Sequence, residues 1–580
     1  MFSKVFKSFT PTITHSRSHL HTVPLKCFTH PTMKRPVLDK IELNETETNI
    51  TNLLVEFCSH YNQSHTPEEA LVLRITGGWV RDKLLGIESN DIDIAINHLS
   101  GEVFASKLYE YLEQKDKSLQ LKAIHTIKKN PEKSKHLETC TTKIYGLDID
   151  FVNLRSEEYT SESRVPIMKY GTAEEDALRR DATLNALFYN LNERKIEDFT
   201  GSGMNDLKQG ILKTPLQPMQ TFLDDPLRAL RLIRFASRLD YEIEDNTLMA
   251  MKSPELKSTL VHKISRERVG IEMEKTFTSA NPGYGLRLIN YVGLSDSIFN
   301  FGTLTETITE LNDQSTLSAL EHANGQLVRQ INAATYSFPL FQHVFQRIPK
   351  DSQLSSVYST IFSNVEFVKA FWIAAVLSPY KDMTVKTNAK KNVSTHVPEV
   401  LLREGLKSSK SEIDKVSVLT KYRDSTTDVL SRFFEDRSSV PRSELGLLLR
   451  NFGSFLPLGI LHNCFIDIVQ PILQLNLPVS KPQPTFEYEP EQLESLETNI
   501  NNQLQKYETF LNAVDDLGLK DVYLMKPIVD GKTLSKELGI RPGPWMGQVN
   551  NALLVWQLDN PEKGKKDALV YAREILPQYT

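Results

Sequence analysis

Asp91 and Asp93 stand one residue apart in Asn90-Asp91-Ile92-Asp93-Ile94-Ala95-Ile96, a polar and apolar alternation that predicts a strand. Both carboxyls then leave one face, roughly 6.6 Å apart along the strand at Cα. Just upstream, Leu71-Val72-Leu73-Arg74-Ile75-Thr76 predicts a strand, Gly77-Gly78 a tight turn and Trp79 to Leu85 a helix. Strand, glycine turn, short helix and acidic strand in this order constrain the chain to an α/β layer. Its glycines let backbone approach an anionic ligand, and its carboxylates can converge on divalent cations. Taken singly, a Gly-Gly pair also fits an ordinary turn and an Asp pair a solvated strand face.

Two more blocks carry chemistry. Arg179-Arg180-Asp181-Ala182-Thr183-Leu184-Asn185-Ala186 places adjacent arginines, which bind phosphate oxygens, beside Asp181 and Asn185, which offer acceptors and donors to a ribose or to the arginines. Farther on, Asp225 at an N-cap and Pro226 at the first helical position open a helix over Leu227 to Leu239. Along it Arg228, Arg231 and Arg234 recur every three residues beside an apolar stripe of Leu227, Leu230 and Ile233. Such arginines repel one another unless an anion or carboxylate joins them. A capped helix with solvated arginines is the bland alternative.

Together the blocks resemble the class II nucleotidyltransferases, the branch holding tRNA CCA-adding enzymes and bacterial poly(A) polymerases. Gly77-Gly78-Trp79-Val80-Arg81-Asp82 up to Asp91-Ile92-Asp93 looks like the family's first motif, Arg179 to Ala186 its Arg-Arg-Asp block, and Asp224-Asp225-Pro226-Leu227-Arg228 its nucleotide-selecting motif. The resemblance implies an α/β nucleotidyltransferase head, with a mixed β-sheet and helices, followed by an all-α neck, body and tail. It implies two Mg2+ ions held by Asp91 and Asp93, with Asp150 as a third catalytic carboxylate. Gly77, Gly78, Arg81, Arg180, Asp181, Asn185, Asp225, Arg228, Arg231 and Arg234 become expected substrate-binding residues. The implied substrates are CTP, ATP and the 3′ end of tRNA, gripped along its acceptor and elbow. Cytosine and adenine both set an amino donor beside a ring acceptor, which an Asp and an Arg can read together. The polar stretch Asn153 to Gly171 occupies the place of the family's flexible loop, and Glu197 to Gly201, leading to Asn205-Asp206-Leu207, that of a hinge.

The expected division is a leader at 1–38, head at 39–216, neck at 217–290, helical body at 291–478 and helical tail at 479–580. Residues 1–38 hold Lys4, Lys7, Arg17, Lys26, Lys34 and Arg35 and no acid, a charge of +6, which leaves −11 of the overall −5 on the rest. A basic, acid-free start rich in Ser, Thr and His reads as a mitochondrial presequence, and Met33 as a second start giving a cytosolic or nuclear form. RNA binding therefore needs local basic clusters, since net charge does not supply it. At 40% hydrophobic and 24% charged residues, the chain is of globular composition. The apolar stretch Gly459 to Val479 is broken by Asp467 and Pro471 and reads as a core helix, so no membrane partner is expected. Cys27, Cys58, Cys140 and Cys464 lack zinc spacing and read as free thiols. The segment Gly531 to Gly547 resembles a tRNA-contacting tail sequence, though Trp545 also suits a core. Poly(A) synthesis, partial CC or A addition, and a non-catalytic RNA scaffold remain open alternatives.

Overall fold

The computed structural model describes residues 36–115, 124–126, 140–160, 163–390, 393–475, 477 and 480–579, with backbone alone at 124–126, 158–160 and 163–167. Cys27, Met33 and the basic leader residues lie outside the described residues. The head runs α1 (Glu45–Asn62), β1 (Leu73–Thr76), α2 (Gly78–Leu84), β2 (Ile92–Ile96), α3 (Gly101–Lys115), β3 (Ile124–Thr126), β4 (Cys140–Ile144) and β5 (Leu147–Asn153). It continues with β6 (Arg155–Thr160), β7 (Ser163–Tyr170), α4 (Ala173–Leu178), β8 (Leu187–Asn190), β9 (Lys195–Asp198) and α5 (Gly203–Gln209). The main sheet has the order β3-β4-β5-β2-β1-β8-β9, with β2 and β5 parallel and the other pairs antiparallel. It is mixed, as the resemblance implies.

Alternation along β2 divides the sheet into two faces. Ile92, Ile94 and Ile96 are buried toward α1 and α3, in one core with Leu54, Phe57, Phe104 and Phe151. Phe104 is the pivot, 5.3 Å from Phe57 edge-on and 4.7 Å from Phe151. Fully burying such rings contributes about 2 kcal/mol each. The opposite face is left to small residues: Ala95 packs with Leu154, Ala173, Ala177, Ala186 and Phe188 under α4. That shallow layer leaves Asp93 half-buried on the same face. At its start α1 is fixed by a capping box, with Asn44 and Glu47 bonding each other's backbone N–H.

Two sequence expectations change here. Asp91 stands one residue before the strand rather than in it, because β2 begins at Ile92. The stretch expected as a loop, Asn153 to Gly171, is instead mostly a β-hairpin in which β6 and β7 pair from Arg155 with Tyr170 onward. Its charges and Pro166 hide the alternation that a hairpin ordinarily displays.

The neck follows as β10 (Ile211–Leu212), α6 (Pro218–Asp224), α7 (Leu227–Leu239), β11 (Glu242–Ile243), α8 (Asp245–Met251), α9 (Pro254–Lys263), α10 (Arg266–Phe277) and α11 (Pro282–Val292). Parallel pairing of β10 with β11 ties the end of the head to the exit of α7. Beyond it the described residues form helices and their connections apart from the short strand pair Thr384–Lys386 and Ser394–His396. The helical stretch Arg442–Gln474 is long and apolar enough to cross a membrane by composition, yet 72% of its most apolar window is buried inside the protein, which makes it a core helix. Asp467 within it is met by Arg423 and by Tyr507 Oη at 2.8 Å. Cys58, Cys140 and Cys464 are buried free thiols. Trp545 is buried in a separate small core with Val529, Leu534 and Val549. Its indole donates to the Arg541 carbonyl, the core alternative stated above.

Candidate active site

One cleft of about 1240 Å3 opens between the head sheet and the neck helices. Of the thirteen residues expected at the site, twelve line it: Asp91, Asp93, Gly77, Gly78, Arg81, Arg180, Asp181, Asn185, Asp225, Arg228, Arg231 and Arg234. Asp150 does not. It sits beside Asp93 in the strand register, and its Oδ1 accepts from Thr141 Oγ1 at 2.5 Å on the neighbouring strand β4.

The turn builds the head side. Gly77 has φ +76°, and a Cβ there would stand 3.2 Å from Arg180 Nη1, so glycine is needed both for the backbone and for the guanidinium's place. Four hydrogen bonds then fix Arg180, to Thr76 Oγ1, to the Asn185 carbonyl and twice to Asp176 Oδ2. Asp176 is almost fully buried. Despite that burial, Arg180 and Arg179 hold its carboxyl below the ordinary range. Asp93 goes the other way: burial, with Asp91 and Asp150 adding like charge, pushes it up to about 6 against the opposing pull of Arg180 and Arg155.

The arginine repulsion expected along α7 is answered by carboxylates from three other places in the fold. Arg231 Nε donates to Asp181 Oδ2 at 2.6 Å, and Arg234 Nε donates to Glu272 Oε2 of α10 at 2.6 Å while stacking 4.2 Å over Phe235. Arg228 reaches Glu157 Oε2 on the hairpin at 3.4 Å. Asn185 links the head partners, donating to Asp181 Oδ1 at 3.0 Å and accepting from Arg81. Asp225 stands one residue earlier than expected, before the N-cap Pro226 of α7; its Oδ1 accepts from the Leu227 N–H at 3.1 Å and its Oδ2 from Arg268 at 2.7 Å.

Several lining residues lie outside the expected set: Arg155, Glu157, Arg179, Arg238, Arg268 and Lys275. Glu157 is a junction, with Arg179 at 2.9 Å and Arg155 and Arg228 each at 3.4 Å. Burial, with Arg179 crowding in, lowers Arg155 to about 10. Ten Arg and Lys side chains face eight carboxylates around the cleft, so it keeps a positive excess after internal pairing, which suits an anionic ligand. Among the described residues no group of three or more His, Cys, Asp or Glu forms a ready-made metal site. Two crowded carboxylates are nonetheless the oxygen donor set that fits Mg2+ when substrate phosphates complete its shell.

Residues 73–213 match the family described as Poly A polymerase head domain, and residues 240–302 the one described as Probable RNA and SrmB- binding site of polymerase A. The mitochondrial CCA tRNA nucleotidyltransferase of Saccharomyces cerevisiae is 41% identical over 93% of this chain and 95% of its own. The chain belongs to the CCA tRNA nucleotidyltransferase family. The mitochondrial CCA tRNA nucleotidyltransferase of Candida glabrata is 40% identical over 94% of this chain and 98% of its own. For the fold, the Thermotoga maritima CCA-adding enzyme complexed with tRNA-CCA superposes with a TM-score of 0.51 at 19% identity, over 92% of this chain and 96% of that one. As a CCA tRNA nucleotidyltransferase this chain is an enzyme, and its mixed-sheet head and helical remainder are those of the family.

Of the unforeseen residues, Arg179 was visible inside the Arg-Arg-Asp block. Arg155 and Glu157 were hidden in the hairpin read as a loop. Arg238 was the one with a signal that could have been used, since it continues the helical spacing from Arg231 and Arg234 and its Nη2 reaches Asp82 Oδ2 at 3.2 Å.

Proposed function

We propose that this chain adds C, C and A to tRNA 3′ ends without a nucleic-acid template, taking CTP and ATP as substrates. The observation that carries this reading is that Asp91 and Asp93 of the head share one cleft with Asp225 and Arg228 of the neck. The triphosphate lies along Gly77-Gly78, where the absence of side chains admits phosphate oxygens. Arg180 beside it is already oriented by its four bonds, so its charge needs no reorganisation as negative charge builds on the phosphates. Asp91 and Asp93 would hold Mg2+, which when bound lowers the pKa of the primer 3′-hydroxyl and offsets triphosphate charge. The hydroxyl attacks the α-phosphorus in line and pyrophosphate leaves.

Base choice falls to Asp225 and Arg228: the carboxylate accepts from an exocyclic amino group and the guanidinium donates to the ring nitrogen. Uracil and guanine present a carbonyl there, an opposition costing about 1–3 kcal/mol. The division into head, neck, body and tail at residues 216, 290 and 478 belongs to the same proposal, as does a tail that helps grip the tRNA.

Purified protein given tRNA lacking its 3′ end, labelled CTP or ATP and Mg2+ tests the reading through product length on a gel. Three added nucleotides support it. A long adenosine tract, addition of C or A alone, or no product would each replace it, with poly(A) synthesis, partial addition or a scaffold respectively. For location we propose a mitochondrial product from the first start and a cytosolic and nuclear one from Met33. A tagged Met33 start found only in mitochondria would reject the second.

A further inference from the structure

Residues 480–489, with prolines at 482 and 484, cross the neck as an extended strap. Lys481 Nζ lies 2.6 Å from Asp245 and 3.6 Å from Glu242. The Gln483 carbonyl accepts from Arg287 of α11 at 2.9 Å, and the Pro484 carbonyl from Asn281 Nδ2 at 3.0 Å. Phe486 and Tyr488 then close on Tyr336 of the body, each with ring centroids 5.1 Å away, before the long helix Pro490–Asp516 begins. Prolines at 482 and 484 restrict the unfolded segment and so lower the entropy lost when it docks.

Asn281 is where this strap meets the cleft. Its Oδ1 caps α11 by accepting from the Tyr284 N–H at 3.1 Å. Its Nδ2 also donates to Asp240 Oδ1 at 2.8 Å, at the left-handed residue that ends the arginine helix α7. Backbone bonds complete the junction: Asn281 N–H donates to the Ser237 carbonyl at 3.0 Å, and Ser237 Oγ to the Asn281 carbonyl at 2.7 Å. The three residues just before it, Thr278, Ser279 and Ala280, line the cleft opposite the sheet. One amide therefore holds the end of α7, the cleft wall and the strap together.

We propose that Asn281 is a positioning residue of the cleft, through which the strap 480–489 braces the wall Thr278–Ala280 and the C-terminal end of the arginine helix. As a statement about catalysis it rests on the nucleotide-addition reading above. Asn281 touches no substrate. It acts by keeping Arg231 and Arg234 in register with the head, where displacement of about 1 Å can cost on the order of a hundredfold in rate.

Serine separates this role from helix capping, because it caps as well as asparagine but has no amide to donate to Asp240 and Pro484. Rates of CTP addition are compared for wild type, Asn281→Ala, Asn281→Ser and Arg287→Ala, which frees the strap at Gln483 and leaves the cap intact. The expectation is that Asn281→Ser slows kcat about tenfold, nearly as much as Asn281→Ala. Arg287→Ala is slower than wild type, and Asn281→Ser with Arg287→Ala no slower than Asn281→Ser alone. A wild-type rate for Asn281→Ser beside a slow Asn281→Ala assigns a cap only and overturns the proposal. A wild-type rate for Arg287→Ala removes the strap from it. Hydrogen exchange at Thr278–Asn281, measured without turnover, must rise in both Asn281→Ser and Arg287→Ala; unchanged exchange overturns the brace. If wild type adds no nucleotide, the function above falls, while the exchange comparison still decides the brace.

Discussion

Arg231 of the neck and Asp181 of the head are joined at 2.6 Å, in a chain that runs from Arg81 through Asn185 and Asp181 to Arg231. Asp181 is only 7% exposed, and against the penalty of burial Arg231 and Asn185 keep its carboxyl far below the ordinary range. Arg231→Ala should cost about 2 kcal/mol in urea unfolding at pH 7, less than the roughly 3–5 kcal/mol of a fully buried pair because Arg231 is 38% exposed. A depressed carboxyl contributes stability above its unfolded pKa and loses it as pH falls. The gap between wild type and Asp181→Asn is therefore expected to be full at pH 7 and to close below about pH 4.

Gly77→Ala is expected to damage the turn twice over. Its positive φ costs a non-glycine residue about 1–2 kcal/mol, and the new Cβ meets Arg180 Nη1 at 3.2 Å. Thermal unfolding should show the first effect and weaker CTP binding by calorimetry the second. Unchanged binding would separate Arg180 from the triphosphate.

Asp225→Asn replaces an acceptor with a group that can also donate, which uracil's carbonyl can use. UTP incorporation relative to CTP should rise by about tenfold, the equivalent of 1.4 kcal/mol and within the range for one mismatched polar group. Competition between labelled CTP and UTP measures the ratio. A ratio equal to wild type removes Asp225 from base reading.

His462 supplies a pH signature far from the cleft. Burial, with the positive charge of Arg423 nearby, lowers its pKa to about 3. Below about pH 6.5 the unfolded chain takes up a proton that the folded one refuses, so stability falls by up to about 1.4 kcal/mol per pH unit until about pH 3. Between pH 7 and pH 4.5, Tm should therefore drop further in wild type than in His462→Leu. Parallel curves would place His462 outside this linkage.

Much of the cleft was legible because its signals are local. A glycine turn, an Asp-x-Asp strand and a proline-started helix each occupy a few consecutive residues and impose their geometry through backbone rules. What escaped was set by tertiary contact. Glu157 becomes a junction only because the hairpin folds back toward α7, and Arg268 faces the cleft only because α10 packs on that helix. Asp150 is the one expected residue set apart from the cleft lining. Its strand and face were read correctly, yet its carboxyl is engaged by Thr141 across β4, a pairing that strand periodicity does not reveal. The strap at 480–489 carries no local signature, because its anchors, Asn281 and Arg287, lie about two hundred residues away and hold it by carbonyls that any sequence carries.

The most direct test of the account is CTP addition by Asp93→Ala, measured with tRNA lacking its 3′ end and saturating Mg2+, alongside urea unfolding to show that the variant is folded. The account predicts no detectable incorporation by a protein that unfolds as cooperatively as wild type, since Asp93 is half-buried on the cleft face of the sheet rather than in the apolar core. Incorporation at the wild-type rate by that folded variant would contradict it.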